Sequence, residues 1–178
     1  MLKIDAHQHF WIYNNREYGW MGPGLESLRF DRLPQDLWPL LQASSLEGTI
    51  AVQARQTTGE TAWLLELAEQ HPFIKGVVGW VDLCSPHVGQ QLERFASNPK
   101  LCGVRHVLHD EPDDRFMWRQ EFRRGIGSLA QFDLAYDLLL FPQHLPLASE
   151  LVARFPQQRF VLDHIAKPLI KDKILSPW

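Results

Sequence analysis

Six short apolar segments recur along the chain at nearly even spacing, and this spacing constrains the fold more than any other feature of the sequence. Their midpoints are separated by 46, 27, 27, 32 and 25 residues, with helical patterns between them. Parallel strands need a crossover of a dozen residues or more, usually a helix, so these intervals predict parallel strands covered by helices. The predicted strands are centred on Ile4, Ile50, Val77, Val104, Tyr136 and Val161.

Polar residues follow the end of nearly every predicted strand. They are His7 and His9, Gln53 and Arg55, Asp82, Arg105 and His106, His144, and finally His164. Because a (β/α)8 barrel builds its active site at the C-terminal ends of its strands, we predict an α/β fold of this TIM-barrel type, with about six of the eight units present. The alternative is an open doubly wound sheet, but the first strand lacks the glycine motif that a nucleotide site there would need.

The first predicted strand, residues 2–6, leads directly into a His-x-His pair. Side chains two positions apart on a strand face the same way, so His7 and His9 can aim two imidazoles at one point. Paired imidazoles are typical of a divalent metal site. Taken alone, this stretch is equally compatible with two solvated loop histidines beside a buried strand.

The composition predicts one domain over residues 1–178. Of 178 residues, 45% are hydrophobic and 22% charged, which suffices for one substantial core. A net charge of −3 gives no reason to expect nucleic acid or an anionic membrane as partner. We find no signal-peptide pattern or long apolar span, and we expect a cytoplasmic protein. Cys84 and Cys102 are predicted at opposite ends of the sheet, without a disulfide.

Several local patterns predict further details. Ser85-Pro86 predicts a helix N-terminus, with the helix running to Ala96. A helix near residues 34–44 would have to place Pro39 in its first turn. The aromatic and glycine-rich stretch 10–30 is predicted to be an ordered functional loop, and the acidic run 110–114 a solvated one. The chain is expected to end, at Trp178, inside the start of another helix.

Four stretches resemble the amidohydrolase superfamily, in the branch called amidohydrolase 2. They are Ile-Asp-Ala-His-Gln-His-Phe-Trp at residues 4–11, Gly-Trp-Val-Asp-Leu at 79–83, Gly-Val-Arg-His at 103–106 and Val-Leu-Asp-His-Ile-Ala-Lys-Pro at 161–168. The last is the most specific. The branch contains fuconolactonase-like and rhamnonolactonase-like sugar-acid lactonases and pyrone-dicarboxylate lactonase, and it borders metal-dependent decarboxylases.

The resemblance implies a set of site residues. His7, His9 and His164 would be catalytic and would hold the metal if one is bound. One divalent ion, zinc or manganese, or none is expected, because Arg105 and His106 replace the bridging lysine or glutamate of two-metal members. We predict that the substrate is bound by Arg105, His106, Gln53, Arg55 and His144. The Arg105 fork suits a carboxylate or a lactone carbonyl.

The resemblance also implies a function: hydrolysis of a sugar lactone or a related carboxylated cyclic ester by water. The alternatives are a metal-dependent decarboxylase or amide hydrolase on the same fold, and a non-catalytic fragment. The last arises because family members continue to an eighth strand whose aspartate is the general base. The resemblance therefore implies a distorted barrel domain over residues 1–178 that is incomplete at its C-terminus. Six strands would also leave apolar edges at residues 2–6 and 160–163, so we expect a homo-oligomer. The sequence does not identify the substrate.

Overall fold

The computed structural model describes residues 2–174 and 176–177 and contains a six-stranded sheet in this part of the chain. The strands are β1 Ile4–Gln8, β2 Gly48–Val52, β3 Ile74–Gly79, β4 Leu101–His106, β5 Ala135–Leu138 and β6 Phe160–Leu162. They lie in chain order, and every neighbouring pair is parallel. A doubly wound sheet would reverse its strand order, so the sheet is that of a partial, distorted (β/α)8 barrel, as predicted.

Five α-helices occupy the intervals between the strands of the described chain. They are α1 Pro34–Ala43, α2 Thr58–Gln70, α3 Val88–Ala96, α4 Gln120–Leu129 and α5 Leu145–Arg154. The core lies between these helices and the outer face of the sheet. Leu64, Leu92, Ile126 and Leu151, one from each of α2 to α5, are fully buried there. No described helix combines the length and the apolar character needed to cross a membrane.

Two predicted element boundaries and the predicted placement of Pro39 were wrong. Strand β1 runs on to Gln8, so His7 lies within it. Pro39 lies inside α1 beyond the first turn, because Pro34 takes the opening position, where a missing N–H costs nothing. Helix α3 begins at Val88, because Ser85 closes a turn: its carbonyl accepts the Val88 N–H at 3.3 Å.

The long segment before α1 is an ordered loop, as predicted. Trp11 and Arg32 pair through both backbone N–H groups, which closes the loop at its base. Trp11, Tyr18 and Met21 form a small apolar cluster of their own, separate from the main core. Burial of these side chains orders the loop without a helix or strand at its centre.

The predicted final helix is wrong within the described residues. Leu169 and Ile174 form an antiparallel bridge around a 3-10 turn at Ile170–Asp172. Lys173 ends that turn in the left-handed region, with φ of 54°. Leu175 and Trp178 lie outside the described residues. Both cysteines are free, as predicted.

The two outer strands of the sheet are less buried than the inner ones. No residue of β1 or β6 is fully buried, whereas each strand from β2 to β5 has buried residues. Apolar side chains are exposed at the β6 side, with Val161 at 47% and Ile170 at 75%. The predicted apolar edges are therefore present in the described structure.

Candidate active site

A buried arginine on β4 contacts residues from three other strands. Arg105, near the end of β4, is only 4% exposed, and its Nη1 donates to Asp163 Oδ2 at 3.0 Å and to His7 Nε2 at 3.2 Å. Asp163 follows β6 directly, and His7 lies on β1. Arg105 Nη2 donates to the Gln53 carbonyl after β2. The guanidinium thus connects β4 to three other strands at their C-terminal ends.

The two histidines of the His-x-His pair converge, as their spacing predicts. His9 Nδ1 lies 2.8 Å from the Val52 carbonyl oxygen, which can only accept, so Nδ1 carries the proton. Burial lowers the pKa of His9 to about 4, and the charge of Arg105 adds to this effect, so the ring is neutral at pH 7. Its bare Nε2 lies 3.3 Å from His7 Nε2. Arg105 donates to His7 Nε2, so this nitrogen carries no proton. The lone pairs of His7 Nε2 and His9 Nε2 therefore face each other.

His164 completes the cluster. Its ring centroid is 4.6 Å from that of His7, and burial lowers its pKa, with His7 adding to the effect. His7, Asp163 and His164 each offer a ligand atom, and these atoms lie within 4.8 Å of one another. The donors are two imidazoles and one carboxylate, a set that suits zinc. His9 stands beside this group of three, and Asp163, which was not among the predicted site residues, stands within it.

The two aspartates near Arg105 differ in their ionisation. Burial would raise the pKa of Asp163, but hydrogen bonds from His7 and Arg105 and the charge of Arg105 outweigh it and hold the pKa below its usual value. Asp137 pairs with Arg105 in the register of β4 and β5. Burial raises the pKa of Asp137 to about 7, and the charge of Asp163 contributes. Neither aspartate was among the predicted site residues, although an acidic residue inside the apolar β5 segment could have indicated Asp137.

His106 faces a different environment from Arg105. Its ring stacks on Phe116 with centroids 4.9 Å apart. Nδ1 accepts from the Trp80 indole N–H at 3.3 Å, and Nε2 therefore donates to Glu111 at 2.6 Å. Both ring nitrogens are engaged, so substrate binding by His106 stays a prediction that these contacts do not support.

His144 has a similar arrangement. It is 3% exposed, its Nδ1 accepts from the Phe141 backbone N–H, and its Nε2 lies 3.1 Å from Asp114 Oδ1. We expected the acidic run 110–114 to be a solvated loop, but two of its carboxylates contact buried histidines. Glu111 and Asp114 each fold back onto a histidine, because a buried imidazole N–H needs an acceptor.

Gln53 and Arg55 follow β2 but diverge. Gln53 is fully buried, and its side-chain amide donates to the Arg105 carbonyl at 3.5 Å. Arg55 forms ion pairs with Glu17, on the long loop, and with the buried Glu60 of α2. Arg55 thus fastens the loop to the barrel, whereas Gln53 belongs to the surroundings of Arg105.

The Lys-Pro part of the motif places another cation at this end of the sheet. Lys167 Nζ lies 3.2 Å from His109 Nε2 and 5.1 Å from the centroid of the Phe141 ring. Residues His164 to Lys167 all have positive φ, between 46° and 55°. Successive residues in this region are costly without glycine, so packing must hold the segment in place.

Comparison with known proteins supplies a family. The family model described as amidohydrolase matches residues 4–178. A protein from Burkholderia multivorans named L-fucono-1,5-lactonase is 43% identical over 183 residues, covering 99% of this chain and 62% of the relative. A protein of the same name from Burkholderia ambifaria is 38% identical over 177 residues, covering 99% and 61%. The chain thus spans about three fifths of the length of these relatives.

A solved structure agrees with these matches. The crystal structure of an amidohydrolase from Burkholderia multivorans with bound zinc superposes with a TM-score of 0.90 at 43% identity. The match covers 94% of this chain and 59% of that chain. The six-stranded architecture is therefore that of a known barrel over the matched length.

The raised pKa of Asp137 predicts a specific pH dependence of stability. The lowered pKa of His9 makes the free energy of unfolding rise with pH between about 4 and 6.5. The Asp137 carboxyl ionises near 3.8 when unfolded and near 7 when folded, so it adds a negative slope between these values. Asp137→Asn should remove this slope and stabilise the chain above pH 7 by as much as about 4 kcal/mol. Urea unfolding in the presence of a chelator, at a series of pH values, measures this.

Asp133→Asn is the matched control, because Asp133 is almost fully exposed, at 93%, and its Arg159 partner is exposed too. It should keep the wild-type slope. An unchanged slope in Asp137→Asn would show that Asp137 is ionised in the folded chain. The lowered pKa of Asp163 does not interfere, since its contribution is lost only below 3.8.

Proposed function

The chain belongs to the amidohydrolase family, and we propose that it hydrolyses a sugar-acid lactone, with L-fucono-1,5-lactone as the first candidate. The observation that carries the proposal is the cluster of His7, His9, His164 and Asp163 around Arg105 at the C-terminal ends of the strands. Two relatives that match nearly all of this chain are named for that lactone. Their names favour lactone hydrolysis over decarboxylation.

Hydrolysis of a lactone needs a positioned water, a positive group for the oxyanion and an acceptor for the water's proton. We assign the orientation of the water to His9, because its neutral ring presents a bare Nε2 at a fixed position. Arg105 is a positioning residue: it holds His7 and Asp163, and its terminal nitrogens are already engaged. The family-type base, an aspartate after an eighth strand, lies outside the six described strands, so turnover by this chain tests whether His9 serves in its place.

A divalent metal fits the residues present. His7, Asp163 and His164 would hold it, since their ligand atoms are already close and the opposed lone pairs of His7 and His9 favour a cation nearby. When bound, the metal would polarise the lactone carbonyl or lower the pKa of a water. We propose zinc, which the related crystal structure contains.

The proposed function predicts turnover that depends on His164. The chain should hydrolyse L-fucono-1,5-lactone, or another member of a panel of aldonolactones, faster than buffer, as followed by a pH indicator. His164→Gln should lower the rate by about a hundredfold or more, since a group acting on the reacting atoms is lost. Zinc retained after dialysis, about one per chain, should fall in parallel.

His87→Gln is the matched control, because His87 is exposed and directly precedes α3. It should keep both the rate and the zinc. If no lactone in the panel is hydrolysed above the buffer rate, the proposal for this chain is wrong. Equal rates in His164→Gln and His87→Gln would exclude the assigned site.

We further propose that the chain forms a homo-oligomer and resides in the cytoplasm. The support for an oligomer is the pair of unpaired sheet edges, β1 and β6, with exposed apolar side chains such as Val161 and Ile170 beside β6. The support for the compartment is the pair of free cysteines, Cys84 and Cys102.

The open edges predict self-association at micromolar concentration. Size-exclusion chromatography with light scattering should give a mass above the 20.7 kDa of one chain. Val161→Lys should shift the population towards monomer, because a charge on an exposed edge strand opposes pairing. A monodisperse monomer for the wild-type chain contradicts this proposal.

A further inference from the structure

The basic side chains that follow the strand ends differ in what balances their charge. Arg105 is paired with Asp163, and Arg55 with Glu17 and Glu60. Lys167 instead contacts an imidazole, His109, and an aromatic ring. Among the described residues no carboxylate lies within 4.0 Å of its ammonium. A half-buried ammonium without a carboxylate partner is a site that an anion would stabilise.

His109 fixes the position of the Lys167 ammonium. A lysine ammonium can only donate, so His109 Nε2 accepts and the proton of the neutral ring is on Nδ1. The side chain is 10% exposed, and Nδ1 has no hydrogen-bond partner in the described structure. Asp110 lies 3.3 Å from Nε2 but is 72% exposed and forms no hydrogen bond with it. The Nδ1–H lies across the ring from Nε2 and points away from the ammonium, so the part of His109 that acts on Lys167 is the accepting Nε2.

We propose that Lys167, held in position by His109, forms an anion-binding subsite beside the His7–Asp163–His164 cluster, and that the subsite takes the carboxylate formed when the lactone ring opens. The proposal rests on the proposed function. Hydrolysis adds water across the acyl C–O bond: the ring oxygen leaves as a hydroxyl, the carbonyl carbon becomes a carboxylate, and one proton is released. The Lys167 backbone N–H donates to the His164 carbonyl at 2.8 Å, and the charge of Lys167 acts on the His164 ring, so the subsite adjoins the place where that carboxylate forms.

Arg105 is the less suitable group for this carboxylate, although its fork matches one in shape. Its terminal nitrogens already donate to His7, Asp163 and the Gln53 carbonyl, and it is 4% exposed. A substrate carboxylate would have to displace Asp163. Lys167 has three N–H donors and uses one of them on His109, so it can bind an anion without breaking an ion pair.

Calorimetric titration of the 178-residue chain with sodium L-fuconate tests the subsite. L-fucitol, which carries a hydroxymethyl group in place of the carboxylate, is the uncharged comparison ligand. Lys167→Met should weaken fuconate binding about tenfold or more and leave the weaker fucitol binding unchanged, because one charge-assisted hydrogen bond is lost. Lys167→Arg should retain most of the fuconate affinity.

Lys171→Met is the matched control, since Lys171 is exposed on the neighbouring turn. Equal fuconate affinity in Lys167→Met and Lys171→Met overturns the subsite, and so does absence of fuconate binding by the wild-type chain. If Lys167→Met does not fold, as judged by thermal unfolding, Lys167→Gln replaces it with the same expected loss. Fuconate binding that depends on Lys167 without lactone turnover refutes the proposed function and supports the subsite. Lactone turnover together with fuconate binding that does not depend on Lys167 supports the proposed function and refutes the subsite.

Discussion

The candidate site depends on one buried ion pair, Arg105 with Asp163. Both side chains are almost fully buried, so water cannot substitute for either partner of the pair. A buried pair of this kind adds little net stability compared with apolar residues, but loss of one partner leaves a costly unpaired charge. Its effect here is positional: it joins β4 to β6 and orients His7 from β1. The histidines and the aspartate are brought together by this contact.

The electrostatics of the site follow from the same pair. Arg105 holds Asp163 ionised and helps keep His9 neutral. Asp137 lies next to both, and burial together with the charge of Asp163 raises its pKa to about 7. The result is two imidazoles with lowered pKa, His9 and His164, beside one ionised carboxylate, and neutral imidazoles with a carboxylate are what a metal requires.

Sequence patterns predicted the fold and the convergence of His7 and His9 because both depend on periodicity along the chain. Strand spacing identified the barrel, and the two-residue period of a strand brought His7 and His9 together. Other features depend on contacts between distant residues. Glu111 and Asp114 engage His106 and His144, and no period in the sequence indicates which loop carboxylate reaches which ring. The pairing of Asp163 with Arg105 was beyond prediction for the same reason, since 58 residues separate them.

A double-mutant cycle on Arg105 and Asp163, followed by urea unfolding, tests this account most directly. We expect Arg105→Met and Asp163→Asn each to cost about 3 to 5 kcal/mol, and the double variant to cost much less than their sum. The exposed pair Arg119 and Asp113, about half exposed on each side, is the comparison and should couple by less than about 1 kcal/mol. Additive effects for Arg105 and Asp163 would contradict the claim that this pair organises the site.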